Sequence, residues 1–145
     1  MSRTLPTARD LFVKAIVRDT HAVEQPRLVA VLDALIAWSN KHPTLLKFRE
    51  EEDTPGTIAF ERVGTKMIVW SASPRRQDVP RLELVPKALK TISAEHREKL
   101  VSTLNAHMRE QLLPDEKLRI GFSALKNASA LAAIQTAVEQ VITTA

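Results

Sequence analysis

Hydrophobic and polar positions alternate along the middle of the chain. Ile58 and Phe60 alternate with polar or small residues, and residues 81–85 repeat the pattern with two inward leucines. A period of two is typical of strands that bury one face. Between these segments, residues 67–70 are all apolar, which predicts a central strand covered on both faces. Residues 57–90 therefore predict three consecutive strands, the part of the chain around which the rest is arranged.

Glycine and proline predict where these strands turn and end. Gly64 can adopt the positive φ that a tight hairpin needs, so we expect the first turn there. Pro74 predicts the end of the central strand, because proline cannot donate to a strand ladder. A polar loop over residues 74–80 follows, and Pro86 ends the third strand in the same way.

A period of 3.6 residues predicts helices on both sides of this stretch. Thr7, Ser93 and Asn127 are suitable N-caps for three of them, and Pro26 suits the first turn of another. The predicted helices cover residues 8–18, 26–40, 94–112 and about 128 to nearly the end, and further strands cover residues 44–49 and 117–122.

The predicted fold class is α+β, a single domain over residues 1–145. We expect an antiparallel meander sheet of four to five strands with helices packed on one face, because short connections favour antiparallel neighbours and the strands alternate. The element order is α-α-β-β-β-β-α-β-α. This order is similar to that of small bacterial α+β domains such as the MmcQ/YjbR-like family, a resemblance of topology that carries over no residue.

The net charge of the chain is concentrated in its middle. Residues 57–92 hold seven Lys or Arg against three Asp or Glu, which equals the net charge of +4 for all 145 residues. Arg75, Arg76 and Arg81 lie within seven positions. Because arginine makes forked contacts to phosphate and carboxylate, this edge predicts an anionic partner, either nucleic acid or an acidic protein surface. The alternative is that the three arginines only keep an exposed edge soluble and unpaired.

Two further predictions concern segments outside this edge. The acidic stretch Glu50 to Asp53 should emerge beside the arginine loop, since alternate connections of a meander lie at the same end of the sheet, and should partly neutralise it. The last helix is strongly apolar, with Glu139 its only charge after residue 128. Such a helix packs within the fold or against another chain, and we expect a homodimer through it.

Composition narrows the other possibilities. The chain has no cysteine, which excludes disulfides, thiolate metal sites and cysteine nucleophiles and favours a reducing compartment. The absence of a long apolar run or a signal-peptide pattern predicts a cytoplasmic protein without a membrane partner. We expect no metal and no cofactor, because the four histidines do not form a zinc motif and three glycines cannot form a phosphate loop.

Catalytic motifs are weak. Gly121-Phe122-Ser123 begins like a nucleophile elbow, but the second glycine is missing and Ser123 should end a strand without the sharp turn that such a serine needs. Three functions follow for testing. The first is a non-catalytic binding module with its site at Arg75, Arg76 and Arg81. The second is a self-associating structural domain, and the third is an enzyme whose catalytic groups form no motif.

Overall fold

The computed structural model describes residues 4–49, 57–65, 67–75, 78–84, 86–108, 111–113 and 117–143. Its centre is an antiparallel sheet of five strands in the order β1-β2-β3-β4-β5, each strand beside its neighbour in sequence. The strands are β1 (Leu46–Arg49), β2 (Ile58–Arg62), β3 (Ile68–Arg75), β4 (Asp78–Leu84) and β5 (Leu118–Gly121). The predicted meander and the α+β class are confirmed.

Helices complete the predicted order. Those expected from the sequence are α1 (Leu5–Asp19), α2 (Gln25–Asn40), α4 (Ala94–Asn105) and α6 (Ala128–Thr143). Two single-turn helices were not predicted, α3 (Pro86–Leu89) and α5 (Phe122–Leu125). The predicted last strand, residues 117–122, was one residue too long at each end, because the strand begins at Leu118 and Phe122 belongs to α5, where it is buried.

Helix limits differ from prediction where capping differs. Helix α1 begins three residues early, because the Thr4 hydroxyl, and not Thr7, accepts the capping bond, which comes from the Thr7 N–H at 3.4 Å. Helix α4 ends at Asn105, seven residues before its predicted end. The Asn105 side chain exchanges two hydrogen bonds with the Leu112 backbone, which closes a loop where a longer helix was expected. The predicted cap of α6 is confirmed, since Asn127 Oδ1 accepts from the Ser129 N–H at 2.9 Å.

The central strand β3 contains two irregularities. The ladder with β2 shifts register between Phe60 and Glu61, so that Val69 has no partner residue, and both Val69 and Trp70 are buried. The apolar run over residues 67–70 thus reflects a bulge as well as the central position of the strand, which is confirmed. A second shift lies between Ser73 and Arg75.

The second shift corrects the prediction for the β3–β4 hairpin. Pro74 was expected to end β3, but the strand continues to Arg75, which pairs with Asp78. The irregular ladder accommodates a residue without an N–H, as bulges commonly do. Strand β4 accordingly begins three residues before its predicted start, and the expected loop over residues 74–80 is mostly strand.

Helices cover one face of the sheet. Helix α1 packs against β2, β3 and β4, α2 against β1 and α1, and α6 between β3 and α4. The core of the covered face includes the fully buried Phe12, Leu28, Phe60, Trp70, Leu82, Leu104 and Ile120. The outer face carries charged side chains of β1, β2, β4 and β5, paired across strands.

Most of the apolar residues of α6 are buried by the chain itself. Ile134, Val138, Val141 and Ile142 are buried, and the small side chains of Ala130 and Ala137 are buried as well. The observation that led to the predicted homodimer is therefore explained within one chain, and dimerisation stays a prediction. Within the described part of the chain, no helix is both long and apolar enough to cross a membrane.

Candidate functional site

Three arginine side chains converge at one corner of the sheet. They come from three adjacent strands, Arg75 at the end of β3, Arg81 on β4 and Arg119 on β5, and all three line a cleft of about 490 Å³. We call it the arginine cleft. Its described lining consists of Arg75, Arg81, His107, Met108, Arg119, Gly121, Ser123 and Ala124.

Strand alternation places Arg81 and Arg119 on the outer face. On β4, Leu82 and Leu84 are buried, so Arg81 and Glu83 project from the opposite side. On β5, Leu118 and Ile120 are buried and Arg119 is exposed. Pairing then sets their neighbours, because Glu83 lies opposite Arg119 and Arg81 lies opposite Gly121. Gly121 presents no side chain to Arg81, and a Cβ there would lie 3.6 Å from Val79 Cγ2.

The wall facing the strands comes from the segment after α4. His107 and Met108 lie just beyond the end of that helix and line the cleft. Their backbone path is held by Asn105, whose Oδ1 accepts from the Leu112 N–H at 2.7 Å and whose Nδ2 donates to the Leu112 carbonyl at 3.2 Å. The early end of α4 thus makes this wall a loop.

Glu83 is the acidic residue that pairs with the cations at this corner of the sheet. Its side chain is only 15% exposed, and its carboxylate pairs with Lys117 Nζ at 3.0 Å, Arg81 Nε at 3.3 Å and Arg119 Nε at 3.7 Å. One negative charge therefore faces three positive charges. The partners fix the directions of the two arginines, and the local charge remains positive.

Arg75 and Arg81 are held differently. Arg75 Nη1 lies 3.2 Å from Asp78 Oδ2, and both side chains are nearly half exposed. Such pairs stabilise a fold by only about 0–1 kcal/mol, so Arg75 can exchange this partner for a ligand at little cost. Arg81 Nε is buried and has no hydrogen-bond acceptor among the described residues, since its contact with Glu83 lacks hydrogen-bond alignment. The inner edge of this guanidinium is therefore anchored by charge alone.

The structure unites part of the predicted site and adds to it. Arg75 and Arg81 line the same cleft, whereas Arg76 lies outside the described residues. The acidic stretch Glu50 to Asp53 also lies outside them, so its predicted neutralising role stays a prediction. Arg119 and His107 were not predicted as site residues. The alternation in β5 indicated that Arg119 is exposed, but only the pairing of β5 with β4 shows what it faces.

The cleft also contains a serine and a histidine. The expected absence of a turn at Ser123 is wrong, because β5 ends at Gly121 and α5 begins at Phe122, a direct strand-to-helix turn. In the described part of the chain, however, no hydrogen bond joins Ser123 to His107, and the second glycine of an elbow is replaced by Leu125. Across the same residues, no cluster of three or more His, Asp or Glu could hold a metal ion.

Comparisons with known proteins give no relative. No family model, no curated protein and no solved structure matches this chain. The topological resemblance to the MmcQ/YjbR-like domains thus gains no support, and the function has to be argued from the cleft.

Proposed function

We propose that this chain is a binding module that holds phosphate groups of a nucleic acid in the arginine cleft. The observation that carries the proposal is the convergence of Arg75, Arg81 and Arg119 from three strands on one concave site. Guanidinium groups match phosphate oxygens with paired, charge-assisted hydrogen bonds. Their common origin in a sheet gives them fixed relative positions, which lowers the entropic cost of binding.

The shape of the site favours phosphate over an acidic protein surface. Stable protein interfaces bury about 800 Å² on each side around an apolar, often aromatic centre. Met108 is the only large apolar side chain in the described lining, and that lining contains no Phe, Tyr or Trp. A concave site of about 490 Å³ instead suits a small protruding anionic group.

The same lining supports binding that is insensitive to base sequence. Stacking on bases would also tolerate any sequence, but it needs exposed aromatic rings beside basic residues. Trp70 is buried in the core, and Trp38 packs against His42 with ring centroids 4.7 Å apart. Affinity would then come mainly from phosphate contacts and would fall steeply with salt.

Titration of a labelled single-stranded oligonucleotide over a range of salt concentrations tests the proposal. We expect Arg81→Gln with Arg119→Gln to weaken binding and to reduce the salt slope by about 0.7 for each phosphate that the variant no longer neutralises. The matched control is Arg27→Gln, an exposed arginine of α2 outside the cleft, which should leave the slope unchanged. The same slope in the double variant would disprove the proposal, and binding of polyglutamate alone would favour an acidic protein partner.

Two predictions made from the sequence stand beside this proposal. A cytoplasmic location is consistent with it and is supported by the cysteine-free composition. Self-association through α6 is not part of it, because the apolar residues of that helix pack against α4, β3 and α2 of the same chain. Sedimentation at high micromolar concentration would test for the homodimer.

A further inference from the structure

The arginine cleft concentrates its charge at one point. Three arginines line a single cavity of about 490 Å³, and Lys117 joins them through Glu83. A protein that follows a polynucleotide backbone presents cations along a groove spanning several nucleotides. A compact cluster at the end of a sheet instead suits a single anionic group with several oxygens.

The charge balance of the cluster indicates the charge of that group. Among the described residues of the cluster, the four cations Arg75, Arg81, Lys117 and Arg119 pair with two carboxylates, Asp78 and Glu83, which leaves an excess of two positive charges. A phosphodiester carries one negative charge, whereas a phosphomonoester carries about −1.5 to −2 at pH 7. The monoester is therefore the better match.

The donors of the cluster are only partly used. Each guanidinium has five N–H donors, and the closest ion-pair contacts of Arg75, Arg81 and Arg119 each involve one nitrogen. Arg119 makes the longest contact, 3.7 Å to Glu83, and its side chain is 57% exposed. Ser123, an exposed residue of the same lining, adds a hydroxyl donor. A monoester offers three terminal oxygens, one more than a diester, to accept from such donors.

We propose that the arginine cleft binds a terminal phosphomonoester, such as a phosphorylated strand end. The uncharged lining at Gly121, Ala124 and Met108 leaves room for the substituent that carries the phosphate. This inference rests on the proposed function and narrows it, because the cleft recognises the end of a strand in preference to its interior. A small phosphorylated molecule presents the same chemistry.

Oligothymidylates of matched charge test the inference. A decamer with a terminal phosphate carries about the same charge as an unphosphorylated dodecamer, so a difference in affinity between them reports the monoester and not total charge. We expect the phosphorylated decamer to bind about tenfold more tightly in low salt. Arg119→Gln and Arg119→Lys should both remove this preference, since lysine keeps the charge but loses the fork. Arg27→Gln should retain it.

The outcomes separate the inference from the proposed function. Equal binding of the two oligonucleotides, weakened by Arg81→Gln and Arg119→Gln, would overturn the terminal phosphate and leave nucleic-acid binding intact. Binding of neither oligonucleotide would overturn both. Competition by thymidine monophosphate as effective as the phosphorylated decamer would support a small phosphorylated molecule as the source of the monoester. Competition much weaker than the decamer would support a strand end.

Discussion

Polar groups on the two faces of the sheet have different surroundings. On the helix-covered face, the indole of Trp70 stacks on Phe60 with ring centroids 5.1 Å apart, and its Nε1 donates to Ser39 Oγ at 2.9 Å. Ser39 in turn donates to the Leu35 carbonyl at 2.9 Å. These buried donors all have acceptors. On the outer face, the single carboxylate of Glu83 faces three cations.

The difference shows which face serves stability and which is available for binding. A satisfied buried network costs nothing further and fixes one arrangement of the core. A cluster with excess positive charge loses stability through repulsion that an anion would relieve. A fold that retains such a cluster beside a cleft therefore has a site whose positive charge an anionic ligand would balance. Three substitutions test this contrast, and a fourth tests an ion pair outside it.

The largest effect is expected for Trp70→Ala. This side chain is 1% exposed, so its truncation leaves a cavity beside Phe60 and should lower the free energy of unfolding by about 3–5 kcal/mol. Urea denaturation measures the loss, with Trp38→Ala on the half-buried border of α2 as the milder control. Equal losses in the two variants would contradict a core centred on Trp70.

Ser39→Ala tests whether the polar network of the covered face is needed. The variant leaves the Trp70 Nε1–H buried without its acceptor, which should cost about 1–3 kcal/mol. Thermal and urea unfolding would report it. Ser102→Ala, at an exposed position of α4, should change stability by no more than about 0.5 kcal/mol. A neutral result for Ser39→Ala would mean that the indole finds another acceptor.

Glu83→Gln tests the outer face. The substitution keeps the shape of the side chain but leaves Arg81, Lys117 and Arg119 without their shared carboxylate. We expect a loss of about 1–2 kcal/mol, between the values for exposed and buried pairs, and a smaller loss in high salt, which screens the repulsion. Glu98→Gln on the exposed side of α4 is the control. A loss that is independent of salt would argue against charge crowding.

The smallest effect concerns a pair away from both faces. Lys126 Nζ donates to Glu24 Oε2 at 2.6 Å, and this bond lowers the pKa of Glu24 below its ordinary value of 4.5. Because the pKa of Glu24 is lower in the folded state than in the unfolded state, the pair adds stability at pH values above the unfolded-state pKa. This contribution disappears as the pH falls through the folded-state pKa. The difference in unfolding free energy between the parent and Lys126→Met should thus be constant near neutral pH and should disappear as the pH falls below 4.5. A difference that persists in acid would exclude the pair as its source.

The sequence by itself determined the five strands, the four longer helices and the inward faces of the strands. Leu82 and Leu84 point inward and Arg81 outward because a strand repeats every two residues, a local property. The cap at Asn127 and the central place of β3 were readable in the same way. Arg75 and Arg81 were predicted as site residues, together with Arg76, because the three arginines lie within seven positions.

Only the tertiary structure decided what completes the cleft. Arg119 lies 38 positions after Arg81 in sequence, and its place beside Glu83 depends on the pairing of β5 with β4. His107 faces the cleft because α4 ends at Asn105, whose side chain bonds to Leu112. The bulge that carries β3 past Pro74 depends likewise on the partner strand. Periodicity along one segment contains no information on neighbours that closed loops bring together, so these features could be seen only in the folded chain.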